Sequence, residues 1–134
     1  MRKQIIVLTW TIIAHSTYAQ EKMQRLFDTW PELKEFHLVM SQTFHPSEEG
    51  NLNPIKERLT EWKEKTYALS NSKIPVEVNN EKIKSSLLKL KENNVALEKM
   101  INEKKFEKEI TEFLSVVHDN FHEIIGLCKN EKHE

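Results

Sequence analysis

The apolar residues of this chain recur at steps of three and four, which is the spacing of one face of an α-helix. The pattern predicts four amphipathic helices, over residues 30–45, 54–69, 81–101 and 106–129. The last helix has the clearest stripe, formed by Ile110, Phe113, Leu114, Val117, Phe121, Ile124, Ile125 and Cys128. The remaining stripes are Leu33, Phe36, Met40 and Phe44, then Ile55, Leu59, Trp62, Thr66 and Leu69, then Ile83, Leu87, Leu90, Asn94, Leu97 and Ile101.

Proline and capping residues mark the predicted helix ends. Thr29 and Glu32 have the spacing of a capping box, and Asn53 is placed to cap a helix that begins at Pro54. Pro46 is expected to end the first helix, because the residue before a proline disfavours helical backbone angles. Four such helices with mostly short connections predict an all-α chain, folded as an antiparallel up-down-up-down four-helix bundle.

The N-terminus has the pattern of a secretory signal peptide. Basic residues at positions 2 and 3 precede an apolar run over residues 5–14 and a polar segment that ends at Ala19. A run of about ten apolar residues is too short to span a membrane, which takes about 20. We therefore expect residues 1–19 to be removed and residues 20–134 to form one domain, periplasmic or otherwise exported, without stable membrane insertion. An uncleaved N-terminal anchor is the alternative.

Charge and cysteine content narrow the class further. Removing residues 1–19 takes Arg2 and Lys3 from the 20 basic residues and none of the 21 acidic ones, which leaves a net charge of −3. This balance argues against a nucleic-acid-binding protein, which should carry a basic face. Cys128 is the single cysteine, so no intramolecular disulfide can form and the domain depends on its apolar core. A buried structural role fits Cys128, with a Cu(I) thiolate or an intermolecular disulfide as alternatives.

Histidines are concentrated in the first and last predicted helices. His118 and His122 are four residues apart, so their imidazoles point the same way one turn apart. Pairing the end of the first helix with the start of the fourth places His37 about 6 Å along the axis from His118. The predicted metal ligands are therefore His37, His118 and His122, with Met40, His45 and Asp119 as candidate further contributors. The same register places His45 too far from His118 for direct ligation.

The type of ligand follows from these donors. Neutral imidazole suits Zn, Cu and Ni, and a thioether would add a preference for Cu(I). We expect a Cu- or Zn-type ion and no catalysis, because the chain has no glycine-rich phosphate loop, serine nucleophile elbow or His-Glu-x-x-His motif. The structural alternative makes His37 a core residue, His118 a boundary residue and His122 a surface residue.

The signal peptide, the four helices and the methionines and histidines resemble the small exported four-helix cytochromes. In the b-type members of that group, haem is held between a methionine on the first helix and a histidine on the fourth. The resemblance implies Met23 or Met40 and His118 or His122 as axial ligands. The Cys-x-x-Cys-His motif of the c-type relatives is absent, since Cys128 stands alone.

Three functional hypotheses follow from the sequence. The first is a non-catalytic protein that binds a transition-metal ion through histidines of its first and last helices. The second is an electron carrier with b-type haem. The third is a structural or interaction module whose partner is another envelope protein or a second copy of the chain.

Overall fold

The computed structural model describes the backbone of residues 10–130 and the side chains of residues 17–130. Its helices are α1 (Trp10–Thr29), α2 (Pro31–Glu48), α3 (Asn53–Glu57), α4 (Leu59–Asn71), α5 (Glu81–Asn102) and α6 (Glu107–Asn130), with a short 3₁₀ turn at Val76–Val78. The all-α prediction is confirmed, since the described part of the chain contains no strand. It has six α-helices where the sequence predicted four.

The prediction that Pro46 ends the first helix was wrong. Pro46 lies inside α2, which continues to Glu48. Pro46 lacks the backbone N–H that would bond to the carbonyl of Gln42, and only two residues of α2 follow it. The chain then turns back at Gly50, whose φ of 83° favours glycine, and the carbonyl of Pro46 accepts from the amide of Asn51 at 3.0 Å.

The second predicted helix is interrupted at Arg58, which separates α3 from α4. The backbone of Arg58 has φ −103° and ψ 18°, outside the helical values. Its guanidinium donates to the Glu61 carboxylate at 2.7 and 2.9 Å and to the side-chain oxygen of Gln42 at 2.6 Å. These bonds connect the beginning of α4 to α2.

Helices α2, α4, α5 and α6 surround one core, because α2 contacts α4 and α6 while α5 contacts α4 and α6. The core is formed by the predicted stripes, and its largest buried side chains include Trp30, Leu33, Phe36, Met40, Trp62, Leu90, Leu97, Ile110 and Phe121. Asn94 is buried among them, where its side-chain oxygen accepts from the Trp62 indole N–H and its amide donates to the carbonyl of Leu90 at 2.9 Å. The burial of Asn94 agrees with its place in the predicted stripe.

Helix α1 is added to this arrangement at one end. Residues 20–28 are helical and belong to α1. Met23, Leu26 and Phe27 pack partly buried against the core, and the Lys22 ammonium donates to the carbonyl of Lys129 at the end of α6. Of the predicted signal peptide, residues 1–9 lie outside the described residues, and its predicted end at Ala19 falls within α1. Between residues 10 and 130 no helix has the length and apolar character needed to cross a membrane.

Candidate metal centre at the α2–α6 edge

The structure brings four histidines together where α2 packs against α6. His37 and His45 lie on α2, and His118 and His122 lie on α6. The two helices run in opposite directions, since His37 meets Phe121 while Phe44, further along α2, meets His118. Two of the three predicted ligands, His118 and His122, converge directly: their Nε2 atoms are 3.0 Å apart.

His118 is held by its neighbours on both helices. Its ring stacks on Phe44 with centroids 3.8 Å apart and planes 13° from parallel. Its Nδ1 lies 3.7 Å from a carboxylate oxygen of Asp119, and its side chain is 20% exposed. Burial lowers the pKa of His118 below its ordinary value of 6.5, and a charge on His122 lowers this pKa further, while Asp119 partly opposes both. His118 is therefore mostly neutral at pH 7, the state that binds metal.

His45 is an exposed residue whose ring lies next to that of His118. The two ring centroids are 6.3 Å apart. Its Nδ1 lies 3.0 Å from a carboxylate oxygen of Glu48. Because a carboxylate only accepts, His45 Nδ1–H is the donor, and the lone pair of a neutral His45 ring is on Nε2.

The prediction that His45 is too far from His118 was wrong. The start of α6 lies past the C-terminal end of α2 instead of level with it. The estimated register placed the start of α6 level with Pro46. Instead the first turn of α6 reaches α3, where the Lys56 ammonium donates to the Glu107 carboxylate at 3.0 Å. Inserting α3 at this level shifts α6 by about two to three turns relative to α2, which brings His45 and His118 together.

His37 lies on the same edge but packs differently. Its half-buried ring stands between Phe27 and Phe121, with centroid distances of 5.3 and 5.4 Å, and is nearly parallel to Phe121 at 16°. Burial lowers the pKa of His37, and charges on His122, His118 and His45 lower it further. The aromatic contacts of His37 were not foreseen from the sequence.

The other candidate contributors differ in access. Met40 is 1% exposed and belongs to the core. Asp119 is on the surface, with its side chain 84% exposed, beside His118. Asp119 therefore lies beside the outer nitrogen of a histidine, the position from which a carboxylate commonly orients a metal-binding imidazole.

The His118–His122 pair has the spacing of two imidazoles on one ion. With metal–nitrogen bonds of about 2.0–2.1 Å and a nitrogen–metal–nitrogen angle between about 90° and 109°, two ligand nitrogens are about 2.9–3.3 Å apart. One Nε2–H of the pair donates to the other Nε2, and a bound ion would take the place of that proton. Within residues 17–130, however, no set of three or more His, Cys, Asp or Glu side chains converges in a geometry that would hold a metal ion. The pair is formed, and a third ligand would have to move toward it.

Sequence reasoning underestimated His45 and missed Glu48 and the two phenylalanines on which the histidines stack. The i,i+3 spacing of His45 and Glu48 is visible in the sequence and could have indicated an oriented imidazole. Comparisons with protein-family models, with curated proteins and with solved structures find no match for this chain.

Proposed function

We propose that this chain is an exported, non-catalytic protein that binds one transition-metal ion at the α2–α6 edge. The observation that carries the proposal is the 3.0 Å separation of the Nε2 atoms of His118 and His122. These two residues form the primary chelate. The ion is of the Cu or Zn type, as the imidazole donors favour.

His45 is the proposed third ligand. Its side chain is 64% exposed, so rotation about its side-chain bonds meets little packing, and its ring already lies 6.3 Å from that of His118. Glu48 on the Nδ1 side and Asp119 beside His118 would orient the two rings and balance part of the positive charge. Water completes the coordination, because His45 and His122 are both exposed.

His37 is the alternative third ligand, as the sequence predicts. It would have to leave its stack between Phe27 and Phe121 to reach the ion, which costs buried aromatic contacts. We therefore place His37 as a packed neighbour of the site. A His37→Gln variant that keeps metal, beside a His45→Ala variant that loses affinity, would agree with this assignment.

The positions of the two candidate methionines favour a bare ion over b-type haem. Met40 is buried in the core. Met23 follows Lys22, whose ammonium reaches the carbonyl of Lys129, so Met23 is level with the end of α6. His122 is about 10 Å along the helix axis from that level, too far for both side chains to bind one haem iron.

The proposed domain architecture is an antiparallel four-helix bundle of α2, α4, α5 and α6, with α1 and α3 as additions. Support comes from the closed ring of contacts among these four helices. Export is proposed from the charge and apolar pattern of residues 1–19.

The test is metal analysis of protein purified without a polyhistidine tag and then offered Cu(II) or Zn(II). We expect about one equivalent of metal in the unaltered protein, and at least a roughly tenfold weaker affinity after His122→Ala, which removes one of two chelating donors. His122 is exposed, so the helix content by circular dichroism should not change.

Glu112→Ala on the same helix is the matched control, because Glu112 is exposed and pairs with Lys108 at 3.8 Å. It should bind metal as the unaltered protein does. A protein that takes up no Cu or Zn, or that binds equally well after His118 and His122 are both replaced, would refute the proposal and favour the interaction module.

A further inference from the structure

We infer that the histidine site selects Cu(II) over both Zn(II) and Cu(I). This inference rests on the proposed function and names the ion. Three features of the site carry it: the spacing of the His118–His122 pair, the nitrogen and oxygen donors that the described residues place around it, and the carboxylates beside it.

The first feature is the spacing of the two Nε2 atoms, which sets the angle that a bound ion would have if the pair did not move. Two nitrogens 3.0 Å apart, each about 2.0 Å from an ion, subtend about 97° at that ion. A tetragonal Cu(II) centre places neighbouring nitrogens at about 90°, tetrahedral Zn(II) at about 109°, and two-coordinate Cu(I) at about 180°. The pair is nearest to the tetragonal value, and a linear arrangement would require its nitrogens to separate by about 1 Å.

The second feature is the position of the sulfur atoms. Thiolate and thioether ligands favour Cu(I). Met40 is 1% exposed and Cys128 is 7% exposed, both within the core. Cys128 is also ten residues along α6 from His118, about 15 Å by the helical rise. Among the described residues, the side chains that surround the His118–His122 pair offer nitrogen and oxygen rather than sulfur.

The third feature is charge. Glu48 lies 3.0 Å from Nδ1 of His45, and Asp119 lies 3.7 Å from Nδ1 of His118. Two carboxylates at this distance stabilise a doubly charged ion more than a singly charged one. They also raise the donor strength of the imidazoles that they contact.

The test compares the three ions on the unaltered protein. In the first experiment, Cu(II) and Zn(II) are mixed in equal amounts with enough metal-free protein to bind half of either ion. In the second experiment, the protein competes with a soft chelator for Cu(I) under anaerobic reducing conditions. We expect at least roughly a hundredfold preference for Cu(II) over Zn(II), and loss of the copper once it is reduced. The electron paramagnetic resonance spectrum should be that of a tetragonal Cu(II) with nitrogen ligands.

Variants keep this test separate from the test of metal binding itself. His45→Ala should remove one nitrogen from the copper spectrum while copper stays on His118 and His122, and Glu112→Ala should leave the spectrum unchanged. Retention of Cu(I) as tightly as Cu(II), binding of Zn(II) as tightly as Cu(II), or a tetrahedral copper spectrum would overturn the selectivity while leaving metal binding intact. No uptake of any of the three ions would instead refute the proposed function.

Discussion

Replacing Phe121 by alanine should lower the free energy of unfolding by about 3–5 kcal/mol, the range for a fully buried phenylalanine. Phe121 is 1% exposed at the centre of the α6 face. Its ring contacts Phe36 at a centroid distance of 5.7 Å and stacks on His37 at 5.4 Å. Each such aromatic pair contributes about 0.5–1.5 kcal/mol beyond area burial, so the loss should fall toward the upper part of the range.

The assay is urea unfolding at pH 7.5 on metal-free protein, followed by circular dichroism at fixed protein concentration. Domains of this size are stable by about 5–15 kcal/mol, so the variant should still fold but unfold at a clearly lower urea concentration. The slope of the transition should stay unchanged, since the folded and unfolded surfaces differ little between the two proteins.

Phe106→Ala is the matched control, because it removes the same side chain from a position that is 81% exposed. It should change the free energy of unfolding by no more than about 0.5 kcal/mol. A loss below about 1 kcal/mol for Phe121→Ala, or equal losses for the two variants, would refute the placement of Phe121 in the core between α2 and α6.

Two further predictions concern buried polar groups. In metal-free protein, stability should be constant above about pH 7.5 and fall as the pH drops below about 6.5 in urea titrations. The reason is that the lowered pKa values of His37 and His118 make the unfolded chain take up protons first. A gain in stability on acidification would contradict this sign. Asn94→Leu should lower the free energy of unfolding by about 1–3 kcal/mol, because it leaves the Trp62 indole N–H without its acceptor. The double variant with Trp62→Phe should lose less than the sum of the two single losses. Strict additivity in this double-mutant cycle would show that the bond contributes nothing.

The sequence predicted the helical class and most of the core because both depend on local periodicity. Leu33, Phe36 and Met40 recur at the helical step and are all buried. The i,i+4 pair of His118 and His122 was predictable for the same reason, since a helix fixes the relative position of residues one turn apart. Asn94 followed from its place in a stripe of apolar residues.

Features that depend on several segments at once were predicted less well. Pro46 carries a local signal to end a helix, but α2 continues to Glu48, and the residue after the proline, Ser47, is buried. The proximity of His45 to His118 depends on where α6 begins relative to α3, and no periodic pattern encodes that register. The stacking of His118 on Phe44 follows from the same register.

The α2–α6 edge joins segments about 70 residues apart in the chain, whereas α4–α5 and α5–α6 join neighbours. Contacts between distant segments give up more chain entropy when they form, and they tend to form late in folding. An ion held by His45, His118 and His122 would therefore act as a cross-link across a long loop, closing the ring of helices where the polypeptide itself supplies no connection. The same ion would slow the opening of this edge, so that metal occupancy would set the lifetime of the folded domain as well as its stability.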